Sequence, residues 1–361
     1  MFTLAMDKET TLAGLTDSQL VNDVLTSFFD RSQSRAETLH PAYPFLWERL
    51  EAAATGGKRF RPHLVMSVYG LLGGSDRITA ATVAASFELL HTALLVHDDV
   101  VDRDFLRRGV PNVSGTYRQL AAAQGNSPER AEHAGLSVGV IAGDLALANA
   151  YRLLGEIDTD PATRRRLGDI LDEAIFASAA GELLDVLAPL DPIPQPVDEV
   201  LTMARLKTAV YSFEAPLQAG AVLAGAGDRL VDVLGEFGRY IGTAYQVADD
   251  LIGVFGDESR TGKVGWGDLR EGKRTVLMSH AAEQPQWPRI SELLSASSLS
   301  ASGAAEIRQL LIESGARDRS VQLAADFTDR AEQCLLHPCV PPELRDGLGS
   351  LSGVVTERLS A

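Results

Sequence analysis

Cysteine is nearly absent from this chain, with two in 361 residues, which excludes a disulfide framework. Those two, Cys334 and Cys339, flank His337 in CLLHPC, a spacing that fits no common zinc pattern. They read as ordinary thiols near a helix end. Basic residues are also scarce: 33 Lys plus Arg against 49 Asp plus Glu leave a net charge of −16. So acidic a chain is a poor partner for a nucleic-acid backbone. A few local cations and a bound metal can still reverse the potential inside one cleft, so phosphorylated small molecules stay open. No run of about 18 or more apolar residues occurs, and no membrane span is expected. The opening MFTLAMDKETTLAGLTD lacks a basic stretch leading into an apolar one, so no signal peptide is expected and the chain reads as cytoplasmic.

Sustained two-residue alternation bounded by Asn-Gly or Asp-Gly turns is missing too, and with it the signature of a β-sheet. What the chain has instead is helical periodicity. Apolar residues recur at three- and four-residue spacing over Leu20–Phe29, Pro44–Ala54, Ala80–Val101, Gly135–Leu154, Arg166–Val186, Glu199–Ala224 and Leu230–Val254. The expected fold is all-α. Turn residues cluster at Thr55–Gly57, Gly73–Ser75, Arg108–Asn112, Gln124–Pro128 and Leu190–Pro196, and Gly256–Gly272 reads as an irregular surface loop. None of these breaks resembles a long linker, so residues 1–361 are expected to form one domain, with a less specific helical part after about residue 300.

Two acidic clusters stand out, HDDVVD at His97–Asp102 and ADDLIG at Ala248–Gly253. Each lies in an apolar helical run. Helical spacing puts Asp98 and Asp102 on one face with Asp99 beside them. Carboxylates packed this closely repel one another, and hard divalent cations supply the compensation; Mg2+ typically takes one or two carboxylates plus substrate phosphates. A single such cluster could be a solvated acidic face. Two in similar surroundings, with basic motifs nearby, point to metal-bound diphosphate chemistry.

The cations fit that reading. Arg107 and Arg108 follow the first cluster, and two guanidiniums beside a metal-binding face suit a bridging diphosphate. Gly56-Gly57-Lys58-Arg59-Phe60-Arg61 places three cations in four residues after a glycine pair. His91 precedes Asp98 by two helical turns on the same face. In the second half, Lys207-Thr208 interrupts an apolar helix, and a buried lysine there requires an anionic partner. Gln246 lies one turn before Asp250, and Lys263 and Lys273 follow. No Ser-His-Asp or Cys-His arrangement accompanies them, so no protein nucleophile is implied.

Taken together, GGKRFRP, HTALLVHDDVVDRDFLRRG, RLKTA, YQVADDLIGVFGDESRTGK and DLREGKRT resemble the trans-isoprenyl diphosphate (polyprenyl) synthases, in that family's order and over roughly residues 55–275. The DDLIGVFGD variant looks most like actinobacterial geranylgeranyl diphosphate synthases. The resemblance implies an all-α helical bundle with a central active-site cavity, a Mg2+-dependent prenyltransferase and homodimer, condensing isopentenyl diphosphate with an allylic diphosphate. It implies three Mg2+ ions, with Asp98, Asp102 and Asp249 as metal ligands and Asp99 and Asp250 in support. The allylic diphosphate is then gripped by Arg107, Lys207, Thr208, Gln246, Lys263 and Lys273, and isopentenyl diphosphate by Lys58, Arg61, His91 and Arg108.

Two positions depart from the family pattern. The second motif is usually DDxxD, but here its last position is Gly253, with Asp257 four residues on as the nearest substitute. The residue before Gln246 is commonly Phe, and Tyr245 adds a hydroxyl that needs a partner if buried. Two rival readings are a class I terpene cyclase, which shares an all-α fold and a DDxxD motif, and a non-catalytic subunit of a heteromeric synthase, which Gly253 keeps open. Lys58, Arg61 and the persistence of Asp98, Asp99, Asp102, Asp249 and Asp250 favour the synthase. For product length, the resemblance runs the growing chain from Asp98 toward the start of its helix, past Leu94 and Ala93 to Phe87. Eleven residues at about 1.5 Å each give about 16 Å, room for three to four isoprene units. The expected product is the twenty-carbon geranylgeranyl diphosphate, with farnesyl or longer chains as alternatives.

Overall fold

The computed structural model describes residues 16–55, 57, 59–191, 193–256, 267–295 and 299–359. Lys58, Asp257 and Lys263 lie outside the described residues. Backbone contacts group the chain into two helical units.

The first unit takes in the residues up to Leu171, together with Ala219–Gly225. It contains α1 (Asp17–Glu37), α2 (Tyr43–Ala54), α3 (Phe60–Leu71), α4 (Arg77–Val101), α5 (Val113–Ala123), α6 (Pro128–Glu156) and the start of α7 (Pro161–Leu187). Thr16 and Gln19 form a reciprocal capping box at the start of α1, and Asp76 accepts the Thr79 amide to start α4. Phe28, Phe29 and Trp47 join α1 to α2 edge to face, with ring centroids 5.1, 6.1 and 6.5 Å apart. α4 is the unit's central rod. α6 approaches α4 and α5 closely because it carries glycine at positions 135, 139 and 143: a Cβ on Gly135 would meet the Ser114 carbonyl oxygen of α5 at 2.4 Å, and one on Gly139 would meet Val100 Cγ2 of α4 at 2.4 Å. Only a hydrogen fits there.

Against the expectation of no span, α4 and α6 are long and apolar enough to cross a membrane by length and composition. The search for unbroken apolar runs passes over them because single polar residues interrupt both helices. In α4, 67% of the apolar window is buried within the protein, the mark of a core helix, whereas in α6 only 39% is.

Between α4 and α5 the chain makes a small hairpin, β1 (Leu106–Arg107) against β2 (Val110–Pro111), in register Leu106 to Pro111. Its turn is Arg108-Gly109, with φ of 55° and 78°, the double positive φ of a type I′ turn. An arginine in the slot usually held by Asn or Asp hides this turn from a motif search.

The second unit takes in Asp172–Gln218 and Ala226 onward. After α7 come α8 (Val197–Ala204), a π-helical segment (Arg205–Glu214), the start of α9 (Ala215–Leu223), α10 (Asp228–Phe255), α11 (Gly267–Glu271), α12 (Val276–Ala282), α13 (Trp287–Leu294), α14 (Ala301–Glu313), α15 (Ala316–Leu335) and α16 (Pro342–Leu359). α10 is its axis, flanked by the π segment, α15 and α16. Leu251, Leu269, Leu277, Ile290 and Ile307 form an apolar cluster that holds α10 to α11, α12, α13 and α14. Two expectations change here. The helix expected to run unbroken over Glu199–Ala224 contains ten residues of widened π turn, and the end of the expected Gly256–Gly272 loop is helical. Cys334 and Cys339 are free thiols, and burial, with Glu236 nearby, pushes the Cys334 thiol up to about 11.

Candidate active site

The first acidic cluster sits at the C-terminal end of α4, with Asp102 as the C-cap. The helix dipole already concentrates negative potential at that end, so three carboxylates there cost stability unless cations come in. An ordinary cap would place them at the other end. One cation is supplied by β1: Arg107 donates to Asp99 Oδ1 through Nε at 3.0 Å and Nη2 at 2.6 Å, and stands 3.7 Å from Asp98 Oδ2. Burial pushes the Asp99 carboxyl above its ordinary range, with Arg107 pulling the other way. Asp99 is thus tied to arginine, while Asp98 is half-buried and Asp102 exposed on the outer face.

That face continues back along α4. At about 100° per residue, Leu94, His91 and Phe87 share the side of Asp98. Exposure falls along it, from exposed Asp102 through half-buried Asp98, Leu94 and His91 to Phe87 at 0%. The stripe therefore runs from a polar, open end to a closed apolar one. Ala93 is placed differently: it is fully buried and turned about 140° from Asp98. It lies on the flank that continues through His97 and Val100 to the glycines of α6.

His91 gathers the basic segments. Burial drives its imidazole well below its ordinary pKa, and Arg61, Arg107, Arg108 and Arg59 add to that in this order. Arg61, Arg107 and Arg108 are thus all near enough to disfavour charge on His91, a local group of cations within an acidic protein. Arg59 was not among the expected site residues, and its role is to hold the basic loop. Its backbone takes a positive φ of 51°, costly for a residue with a Cβ. Its guanidinium offsets that cost by donating to Asn22 at 3.0 Å, the Ala54 carbonyl at 2.5 Å and Glu88 at 2.8 Å.

In the second unit, Lys207 and Thr208 stand on the π segment. Such widened turns are rare and recur at functional sites. Glycines on its neighbours allow the close fit: a Cβ on Gly181 of α7 would lie 2.2 Å from the Lys207 amide nitrogen, and one on Gly238 of α10 would lie 2.6 Å from Glu214 Cα. Lys207 is half-buried rather than buried. Its anionic partners are Asp185 at 2.5 Å and Glu182 at 2.9 Å, both on α7.

The second acidic cluster lies near the end of α10. Gln246 donates to Asp250 at 2.8 Å. Burial pushes the Asp250 carboxyl up to about 8; Gln246 opposes this, and Asp249 and Asp268 add to it. Asp268 is a residue that sequence reasoning missed. A Cβ on Gly253 would lie 1.8 Å from Asp268 Oδ2 and 2.5 Å from its Cγ, so the α11 carboxylate fills the space of the side chain that position 253 lacks. Lys273 donates to Asp268 at 2.9 Å and lies 3.2 Å from Glu271; burial works against its charge, but these acids raise its pKa. The DLREGK segment was the available signal, since it carries Asp268 beside the expected Lys273.

A further missed residue is Arg358, in the last turn of α16. It donates to Asp249 Oδ1 at 2.6 Å and to the Tyr245 hydroxyl, with its guanidinium 4.0 Å from the centre of the Tyr245 ring. Nothing in the local sequence of α16 signals that contact. Among the described residues no three acid, imidazole or thiol groups converge to hold a metal alone. The carboxylate pairs suit a hard cation whose shell is completed by phosphate oxygens.

Residues 45–311 match the polyprenyl synthetase family. The chain is 32% identical to a geranylfarnesyl diphosphate synthase of Aeropyrum pernix, over 86% of this chain and 93% of that one. It is 34% identical to a geranylgeranyl diphosphate synthase of Sulfolobus acidocaldarius, over 73% and 72% of the two chains. Among solved structures it superposes on the Corynebacterium glutamicum geranylgeranyl pyrophosphate synthase complexed with isoprenyl diphosphate and magnesium. That match has a TM-score of 0.86 at 30% identity, covering 95% of this chain and 98% of the other. The chain therefore belongs to the polyprenyl synthetase family, and it is a trans-prenyltransferase acting on isoprenoid diphosphates.

Proposed function

We infer that the protein condenses isopentenyl diphosphate with an allylic diphosphate in a Mg2+-dependent reaction that yields geranylgeranyl diphosphate. The α4 stripe carries this reading: carboxylates at its open end, half-buried Leu94 and His91 along it, and buried Phe87 closing it about 16 Å from Asp98. An isoprene unit spans roughly 5 Å, so three to four units fit along that length. The similar C. glutamicum synthase, complexed with isoprenyl diphosphate and magnesium, supports the metal and the substrate class.

In this reading Asp98 and Asp102 hold Mg2+ at one cluster and Asp249 at the other, and bound Mg2+ supplies Lewis-acid stabilisation of the departing diphosphate. The protein's own groups do the rest. Lys207, Thr208, Gln246 and Lys273 hold the allylic diphosphate, with Arg107 aimed by Asp99. The allylic carbon–oxygen bond breaks to leave an allylic cation and diphosphate. Arg61, Arg108 and neutral His91 orient isopentenyl diphosphate, whose double bond attacks that cation, and the resulting carbocation loses a proton to the released diphosphate to restore a double bond. Preorganised cations favour the charge that develops on the leaving group. The apolar stripe above Asp98 keeps water from the allylic cation. Asp268, seated where a side chain at position 253 would lie, supports a catalytic chain over a non-catalytic subunit.

The test is product analysis. Purified protein with isopentenyl diphosphate and dimethylallyl, geranyl or farnesyl diphosphate is expected to give a twenty-carbon product with Mg2+ and none with a chelator. Phe87→Ala is expected to lengthen the product, and Leu94→Phe, on the same face as Asp98, to shorten it to fifteen carbons or fewer. Unchanged lengths in both variants would refute the α4 tunnel. A wild-type product of another length would refute the twenty-carbon assignment.

A further inference from the structure

The Tyr245 hydroxyl, which needs a partner if buried, has a specific one: it accepts from Arg358. Tyr245 lies one turn before Asp249 on α10, so both side chains leave the helix on the same side. Arg358 spans the two. One terminal nitrogen donates to Asp249 Oδ1 at 2.6 Å, the other donates to the Tyr245 hydroxyl, and the guanidinium plane stands 4.0 Å from the Tyr245 ring centre. The Tyr245 ring is braced in turn by Phe213 of the π segment, at 5.4 Å between centroids. The Arg358 side chain is 15% exposed and Asp249 43% exposed, so the arginine is the inner member of the pair and the carboxylate the outer one.

We propose that Tyr245 and Arg358 are positioning residues for Asp249: Tyr245 fixes the guanidinium, and Arg358 holds Oδ1 so that Oδ2 stays aimed outward for a metal–diphosphate ligand. The inference rests on the reading of Asp249 as a metal ligand. Carboxylates that bind metals are commonly held by such outer hydrogen bonds, and removing the partner weakens binding about 10–100-fold. Two features make the brace matter in this chain. Gly253 contributes no carboxylate, and Asp268 beside it is already paired with Lys273 at 2.9 Å, so Asp249 bears a larger share of that cluster's ligation. The planar fork of arginine can bond Asp249 and Tyr245 at once, whereas a lysine ammonium on a flexible stem lacks that geometry.

The experiment is calorimetric titration of the full chain with Mg2+ in the presence of inorganic diphosphate, together with thermal unfolding of the metal-free protein. Arg358→Met is expected to weaken binding about tenfold. Arg358→Lys should not restore it. Tyr245→Phe should weaken it to a lesser degree, and the double variant should bind no worse than Arg358→Met, because the two residues act through one path. In the prenyl-transfer assay the Arg358→Met loss should appear in the allylic KM. Unchanged binding in Arg358→Met would overturn the proposal, as would tighter binding, which would make Arg358 a competitor of the metal. Loss of binding only in proportion to a fall in unfolding temperature would make the brace merely structural. Asp249→Asn separates this idea from the one beneath it: if that change leaves binding intact, the metal assignment itself fails.

Discussion

A carboxylate can be placed by a residue far away in sequence, and the second acidic cluster shows how. Gly253 breaks the expected DDxxD pattern, yet the space beside it is filled by Asp268 Oδ2, 1.8 Å from where a Cβ would stand. Restoring the motif should therefore harm the enzyme. Gly253→Asp is expected to lower turnover about tenfold or more, because Asp268 must leave the cluster and its bond to Lys273 is lost. Adding Asp268→Gly to that variant should recover part of the activity by making room for the new side chain. Steady-state kinetics of the two variants check this; full activity in Gly253→Asp alone would show that position 253 is open. At the first cluster the same scale explains why Asp99 is not equivalent to Asp98 and Asp102: it is buried and committed to Arg107.

Helices here are set by what their neighbours allow. α7 carries two glycines with opposite environments. Gly181 abuts the backbone of Lys207, whereas a Cβ on Gly168 would meet nothing within 4 Å. Gly168→Ala is expected to stabilise the protein by about 0.5–1 kcal/mol, since Gly in a helix interior is disfavoured by that much relative to Ala. Gly181→Ala should cost about 1–3 kcal/mol by overpacking against backbone that cannot swing aside. It should also weaken allylic substrate binding, because Lys207 and Thr208 ride on the displaced π segment. Urea unfolding of both variants reads the sign. A stabilised Gly181→Ala would mean that the π segment does not depend on the close fit to α7.

For the molecule as a whole, the unbalanced feature is α6. It is apolar enough to span a membrane, yet only 39% of its apolar window is buried, and Val140, Ile141 and Tyr151 are 45%, 50% and 39% exposed. The homodimer that the family resemblance implies would give this exposed apolar face a partner. Ile141→Asp is expected to convert a dimer into monomers in sedimentation velocity, with the helical content unchanged. A wild-type protein that sediments as a monomer would sink this assignment. Net charge belongs to this scale too. At −16 overall, the protein concentrates Arg59, Arg61, Arg107 and Arg108 around His91, so attraction for diphosphate is local rather than global.

By itself the sequence determined the helices, the positions of the acidic clusters and the family, because these depend on periodicity, turn residues and short motifs that act locally. The stretches read as helix over Ala80–Val101 and Leu230–Val254 fall within α4 and α10, and the breaks at Gly73–Ser75 and Gln124–Pro128 fall between helices. Only the tertiary structure decided which atoms meet. Asp268 beside Gly253, Arg358 on Asp249 and Tyr245, and Arg59 on Asn22 and Glu88 join residues 15 to 113 positions apart, for which no local pattern exists. The π segment was hidden for a related reason. Its apolar spacing is that of an ordinary helix, and the structure sets the widened turn beside Gly181, Gly238 and Gly242, which come from other parts of the chain.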